Sequence, residues 1–345
     1  MRGTYFWGNG MFETRVMPEH PLADTEVLIK VAACGVCGTD VHICHGDKGS
    51  AEVIPPVVLG HELSGTVMDI GSKVTHLKIG DRVSVDPNRY CGECHYCKIG
   101  KKQLCTSLYA IGVNRDGGFA EYCYVPEAQC YRLAPGVPLE YGAMAEPLAC
   151  CIHGVDRAKI RLGDTVLVIG GGAIGLLMVQ LARQSGASSV ILSEPVELRR
   201  EIGLKLGADA VIDPIQEDLR ERLTQITGMD GVDVVLECVG NTTATAQAFD
   251  AAKRGATVLL FSVPKAGAIH PLSLEAVYQK ELNILGSLIN PDTHQRAVDL
   301  INRGRIQLGP MITHWFPVEQ VKEAIEMQVS SESIKVMVGE KPPMA

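Results

Sequence analysis

Residues 165–175 constrain the fold more than any other stretch. Val166-Leu167-Val168-Ile169 is a short apolar run that suits a buried parallel strand. It passes directly into Gly170-Gly171-Gly172-Ala173-Ile174-Gly175 and then into an apolar helical segment. This is G-x-G-x-x-G in the strand–turn–helix context that gives the pattern meaning. Gly170 permits the tight turn, Gly172 lets backbone approach a pyrophosphate, and Gly175 lets the helix pack close to its strand. The helix N-terminus then turns unpaired N–H groups and a favourable dipole toward phosphate. From Thr165 onward the chain alternates strand and helix, with apolar runs at 190–192, 210–212, 232–236 and 257–261 and a last strand near 283–286. Gly186 and Gly207 sit where helices should stop. A parallel α/β dinucleotide-binding sheet is expected.

Upstream the pattern is different. Residues 24–90 read as short β segments punctuated by Gly and Pro, among them Glu26–Val31, Gly65–Met68 and Asp81–Val85, and strand character returns at Tyr122–Pro126. This suits a small irregular β-barrel. A helix is expected over Glu146–Lys159, another over Asp292–Asn302, and a final helix–strand pair returns to the first domain's character. A chain of 345 residues, 46% hydrophobic, is long enough for two cores. The expected division is a first domain of residues 1–149 plus 289–345 and an inserted nucleotide domain of 150–288.

Charge narrows the function. The net charge is −8 and no basic run is present, which argues against a nucleic-acid partner. The start of the chain has no apolar core of a signal peptide, and the most apolar segment, 166–182, is short and broken by glycines, so no membrane role is expected. Twelve cysteines in so long a chain read as reduced, metal-binding thiols of a cytoplasmic protein rather than a disulfide framework.

Four of those cysteines, Cys91, Cys94, Cys97 and Cys105, follow C-x2-C-x2-C-x7-C within residues 91–105. Four thiolates so spaced can close around one structural Zn²⁺ and leave no open position. A catalytic zinc wants three protein ligands and an exchangeable fourth position. Cys37, His61 and a carboxylate from either Glu62 or Glu146 would supply that set. Cys34, Cys123, Cys130, Cys151 and Cys238 read as core thiols. Cys44 has no assigned role, and Cys150, one turn beyond Glu146, is a further thiol within reach of the same metal.

Glu194 follows the second strand of the alternating region, where a ribose-binding acid is expected, and its charge favours NAD over NADP. Arg199 and Arg200 lie close enough to bind a phosphate or stack on adenine.

Taken together, these motifs resemble those of the medium-chain, zinc-dependent alcohol and polyol dehydrogenases, over nearly the whole chain. Gly60-His61-Glu62-Leu63-Ser64-Gly65, then Gly71 and Val74, looks like that family's zinc signature, and Cys37-Gly38-Thr39-Asp40-Val41-His42, the four-cysteine lobe and the Gly170 turn follow in the family's order. The resemblance implies a GroES-like catalytic domain interrupted by a Rossmann domain, two zinc ions, and hydride transfer to NAD(P). It also implies that Cys238, Val239, Ser262 and Val263 join the cofactor contacts. Glu146 in Glu-Pro-Leu looks like the sorbitol-dehydrogenase branch. Animal sorbitol dehydrogenases carry an Arg-Tyr pair after the last Rossmann strand, and this chain reads Gly286-Ser287-Leu288-Ile289-Asn290-Pro291, which suits another sugar alcohol or a smaller diol.

By resemblance, a proton leaves the substrate through Thr39 and His42, or through a water linked to Glu62. Phe119 reads equally as cleft lining or core. The ranked alternatives are a threonine-type amino-alcohol substrate, a sugar-acid or phosphorylated polyol, and a silent zinc-binding or sensing relative. Relatives assemble through a strand of the Rossmann sheet, so a homodimer or homotetramer is the default.

Overall fold

The computed structural model describes residues 1–343 apart from Lys48 and Ser50, so the last two residues of the 289–345 segment lie outside the described part. The chain forms two compact units, Met1–Ala149 with Ile289–Ala345, and Cys150–Leu288.

The first unit is built on one long strand, Glu26–Gly35. It pairs antiparallel with Glu62–Ile70 and Tyr122–Pro126, and at its far end with Lys335–Gly339. Strands Arg82–Val85, Cys130–Arg132 and Ile312–Phe316 extend the same sheet. Val27 and Ile29 alternate inward and are fully buried. Register shifts between Leu28 and Ile29 and between Val31 and Ala33 break the ladder with Glu62–Ile70, as bulges do where a sheet must curl. The core beneath is Val27, Ile29, Leu59, Leu63, Val83, Phe119 and their neighbours. An N-terminal hairpin, Arg2–Phe6 with Phe12–Val16, has no counterpart in the sequence reading.

The consequence for function lies in the register. Gly35 stands opposite Glu62, and Met337 opposite Gly35. The ends of three neighbouring strands therefore bring 35–37, 61–62 and 335 together, although they lie 300 residues apart in the chain.

The second unit is a six-stranded parallel sheet. Its order is Ala210–Ile212, Ser189–Ser193, Thr165–Ile169, Val232–Glu237, Ala252–Leu260, Asn283–Gly286. The order reverses beside Thr165–Ile169, and ligands of such sheets bind at the carboxyl ends of the strands flanking that point. Helix Ala173–Gln184 follows the glycine turn, and Gly186 and Gly207 close their helices with φ of 99° and 111°. Expected and observed elements differ mainly at their ends: the helix expected from Asp292 begins at His294, and the strand expected from Thr257 begins at Ala252. Asp292 has φ of 57°, a left-handed conformation that cannot continue a helix.

Candidate active site

In the first unit, Cys37 sits at the N-cap of the short helix Gly38–Cys44. Asp40, three residues on, accepts the Cys37 backbone N–H at 2.8 Å through Oδ2. Its other oxygen, Oδ1, faces Nδ1 of His61 at 3.6 Å, and neither atom has a hydrogen-bond partner among the described residues. Asp40 is fully buried and His61 is 5% exposed. Burial alone would push His61 down, but the Asp40 carboxylate and Cys37 thiol outweigh it and pull the imidazole well above its ordinary range. The site thus favours positive charge on or beside His61, which a bound cation would supply. A carboxylate behind a ligating histidine also orients the ring and raises its basicity.

Donor atoms of Cys37, His61 and Glu62 all lie within 4.8 Å of one another. A tetrahedral ion with bonds of roughly 2.0–2.3 Å can span donors so placed, and one thiolate, one imidazole and one carboxylate suit zinc. The residues therefore fit the metal. Glu62 is 1% exposed, and its Oε2 accepts the ammonium of Lys335 at 2.5 Å. Glu146, in the first turn of helix Ala145–Ala158, is also buried but is not in that close set, and neither is Cys150. Its charge nonetheless reaches Lys335. Burial lowers the lysine, but Glu62, Cys37 and Glu146 together hold it above its usual value.

Thr39 and His42 lie three residues apart on helix Gly38–Cys44, hence on one side of it. His42 Nδ1 is 3.2 Å from Asp47 Oδ2, a partner the sequence reading did not identify. Phe119 is fully buried and packs in the core, which settles its two readings in favour of the core.

The four-cysteine lobe forms a second cluster, with all four sulfurs within the same 4.8 Å limit and Cys91 Sγ 3.9 Å from Cys97 Sγ. Backbone N–H groups of Cys91, Cys94, Cys97 and Ser107 point at the sulfurs at 3.3–3.5 Å. Those of Cys97 and Thr106 hold Cys94 down at about 6, so a thiolate is available near neutrality. No disulfide forms among the described residues. Of the five expected core thiols, Cys34, Cys123 and Cys151 are buried, while Cys130 and Cys238 are half-buried.

In the second unit, Gly170 takes φ of 99°. A Cβ at Gly175 would lie 1.7 Å from the Gly170 carbonyl oxygen, so close packing forbids any side chain there. A Cβ at Gly172 would meet nothing within 4 Å. Packing within the protein does not require that glycine, whereas a pyrophosphate lying on the backbone would. Glu194, 3% exposed, accepts the N–H of Gly171 at 2.5 Å and of Val196 at 2.8 Å. Arg200 is engaged by Asp213 at 3.1 Å and by the carbonyls of Glu194 and Pro195. Cys238, Val239, Ser262 and Val263 all follow carboxyl ends of their strands. Glu237, buried and absent from the sequence reading, fixes that rim: it accepts the N–H groups of Val239 and Gly240 and the Ser262 hydroxyl, at 2.7–2.8 Å.

Residues 23–135 match the alcohol dehydrogenase GroES-like domain family, and residues 173–303 match the zinc-binding dehydrogenase family. Sorbitol dehydrogenase of Bombyx mori is 34% identical over 93% of each chain. L-threonine 3-dehydrogenase of Caldanaerobacter subterraneus is 35% identical over 91% of each chain. A solved structure described as a zinc-binding dehydrogenase of Sinorhizobium meliloti, bound to NADP, is 40% identical, covers 98% of this chain and 99% of that one, and superposes with a TM-score of 0.93. The chain belongs to the medium-chain, zinc-dependent alcohol and polyol dehydrogenases, and is an oxidoreductase of α/β architecture with a GroES-like and a dinucleotide-binding portion. No helix among the described residues is long and apolar enough to cross a membrane.

Proposed function

We propose that this enzyme oxidises a secondary hydroxyl of a neutral polyol or sugar alcohol to a ketone, reversibly, with NAD as hydride acceptor. The observation that carries the reading is the convergence of half-buried Cys37 with buried His61 and Glu62 beside an orphaned Asp40–His61 pair. Bound there, zinc would supply the Lewis acidity that makes a hydroxyl easier to deprotonate, and the nicotinamide would take the hydride. The protein's own residues do the rest. Asp40 orients the His61 ring. Thr39 would take the hydroxyl proton while passing its own, by way of the cofactor's ribose, to His42, which Asp47 holds at Nδ1; a water linked to Glu62 is the other route. Glu146 is kept close as a second buried carboxylate. A second zinc on Cys91, Cys94, Cys97 and Cys105 is structural.

NAD is favoured over NADP because the Glu194 carboxylate, already bonded to two backbone N–H groups, would face a 2′-phosphate with like charge. Gly170, Gly172, Ala173, Ile174 and Gly175 cradle the pyrophosphate, while Arg199, Cys238, Val239, Ser262 and Val263 line the rest of the cofactor. The protein works in the cytoplasm as a homodimer or homotetramer.

The test is NADH formation on a panel of sugar alcohols, short diols and threonine, with and without a chelator, repeated with NADP. Chelator-sensitive turnover of one polyol class with NAD is expected. Turnover of threonine alone would favour the second reading, for which the 35%-identical threonine dehydrogenase speaks.

A further inference from the structure

Lys335 is the one lysine or arginine that is buried among the described residues, at 3% exposure. Burying an ammonium costs several kcal/mol unless charge and hydrogen bonds compensate it. Its successors on the strand, Val336, Met337 and Val338, are buried and apolar, so packing alone would have been served by another such residue. The lysine spends its donors on the Val36 carbonyl at 3.0 Å and on Glu62 Oε2 at 2.5 Å. The carboxylate it holds has a place made for it: a Cβ on Gly35 would lie 2.1 Å from that same Oε2. Gly35 thus leaves room for Glu62, and Lys335 holds one of its oxygens there. Around them stand Cys37, Asp40 and Glu146, so four acidic groups share the site with one ammonium and would face any divalent ion bound there.

We propose that Lys335 is a positioning residue of the metal centre: by occupying one oxygen of Glu62 it leaves the metal only the other, and its charge keeps the centre electrophilic. This rests on the reading of Cys37, His61 and Glu62 as a metal centre. A carboxylate free at both oxygens can take a metal through both and use up a coordination position that the substrate needs. A centre surrounded by four anions without the ammonium is a weaker Lewis acid. Both effects have a sign opposite to that of a merely structural lysine. Removing a like charge beside a divalent cation, and releasing a second oxygen to it, should tighten metal binding. Removing a structural prop should loosen it.

The experiment uses the full chain, loaded with zinc or with cobalt(II), in wild type, Lys335→Met, Lys335→Gln and Lys335→Arg. Metal retention is read by competition with a chelator, coordination by the visible absorption of the cobalt form, and electrophilicity by the pH at which alcohol oxidation sets in. For Lys335→Met we expect the centre to hold its metal about tenfold more tightly. Its cobalt bands should weaken as coordination number rises, and the onset of oxidation should move up by about one pH unit. The Michaelis constant for the cofactor should not change. Lys335→Arg, which keeps the charge and the bond, should stay near wild type. Lys335→Gln keeps a donor for Glu62 but no charge, so its cobalt spectrum should resemble wild type while the pH onset still moves. It also serves if the methionine variant fails to fold. Faster metal loss from Lys335→Met or Lys335→Gln, with an unmoved pH onset, would overturn the proposal. Wild-type protein that loads metal only in the four-cysteine lobe would instead sink the reading of the catalytic centre.

Discussion

The two cysteine-containing centres are built in opposite ways. The lobe at 91–105 draws four like donors from one short segment, and neighbouring backbone N–H groups aim at their sulfurs. Three of its cysteines are only half-buried. The second centre draws unlike donors from Cys37, His61 and Glu62, and adds Asp40, Gly35 and Lys335 as supports. Its donors are held by three strands whose register is set by the whole barrel. A local centre can form with its loop and then stiffen it, whereas a distributed centre exists only once the fold does. The first suits a closed structural metal, the second a site with a position left for substrate.

Single substitutions in each should therefore fail differently. Cys37→Ser is expected to lower turnover by about 10³-fold or more while leaving dinucleotide binding and thermal stability near wild type. Metal analysis should show one equivalent lost and the lobe's retained. Cys97→Ser is the mirror case: the lobe's equivalent goes, and stability falls by about 3 kcal/mol or more, measured as the shift in the denaturation midpoint. If the two variants lost the same property, the distinction between a chemical and a structural centre would collapse.

The same contrast explains what was legible in the residues. The lobe shows in its spacing alone, because all its geometry is local. The glycine turn at Gly170 is legible for the same reason. Of the distributed centre, Cys37, His61 and the two glutamates could be named from residue type and motif, but their supports could not. Asp40 reads as an ordinary first-turn acid until the fold puts it against His61. Lys335 begins an otherwise apolar strand, and a lysine there reads as a strand end in solvent. Only the pairing of Lys335–Gly339 with Glu26–Gly35 brings it to Glu62. Glu237 is hidden likewise, a buried acid at the end of an apolar strand whose role appears when the Val239–Gly240 turn folds back on it.

Asp40→Asn sharpens the comparison within the distributed centre. The aspartate is fully buried behind His61, so losing its charge should cost about 10–100-fold in metal affinity or activity, read by chelator competition. No residue behind a lobe cysteine should match that loss.

Acid alone does not compare the two centres cleanly, because the first unit should itself respond to it. His294 is buried with Nε2 2.9 Å from Ser84 Oγ, and burial pushes it down to about 3. Its folded value lies below its ordinary one, so its contribution is intact above about pH 6.5 and is lost as pH falls toward 3. At pH 5 that loss is about 2 kcal/mol. Buried Asp86 works the other way: burial raises it to about 6, so its contribution grows as pH falls through that value, offsetting about 1 kcal/mol. His294→Gln should remove the first effect and not the second. The difference in urea midpoint between wild type and variant should shrink or reverse between pH 7 and pH 5, and a constant difference would contradict the buried neutral histidine. In that variant metal loss on acidification reports the two centres rather than the fold.

The smallest effect is expected at the outer end of the proton path. Asp47 touches His42 at 3.2 Å, as Asp40 faces His61, but here both side chains are about a quarter to a third exposed, at 26% and 30%. Water competes for the bond, and exposed pairs of this kind are worth roughly 0–1 kcal/mol. Asp47→Asn should therefore slow turnover only about two- to fivefold and leave metal retention untouched. Its signature should be rescue by small buffer bases, which can take over a proton that a misoriented His42 no longer carries. Rescue in Asp47→Asn but not in Asp40→Asn would separate a carboxylate that orients a relay from one that orients a metal ligand. A loss in Asp47→Asn as large as that in Asp40→Asn, and insensitive to buffer, would mean that the exposed and buried pairs serve the same centre.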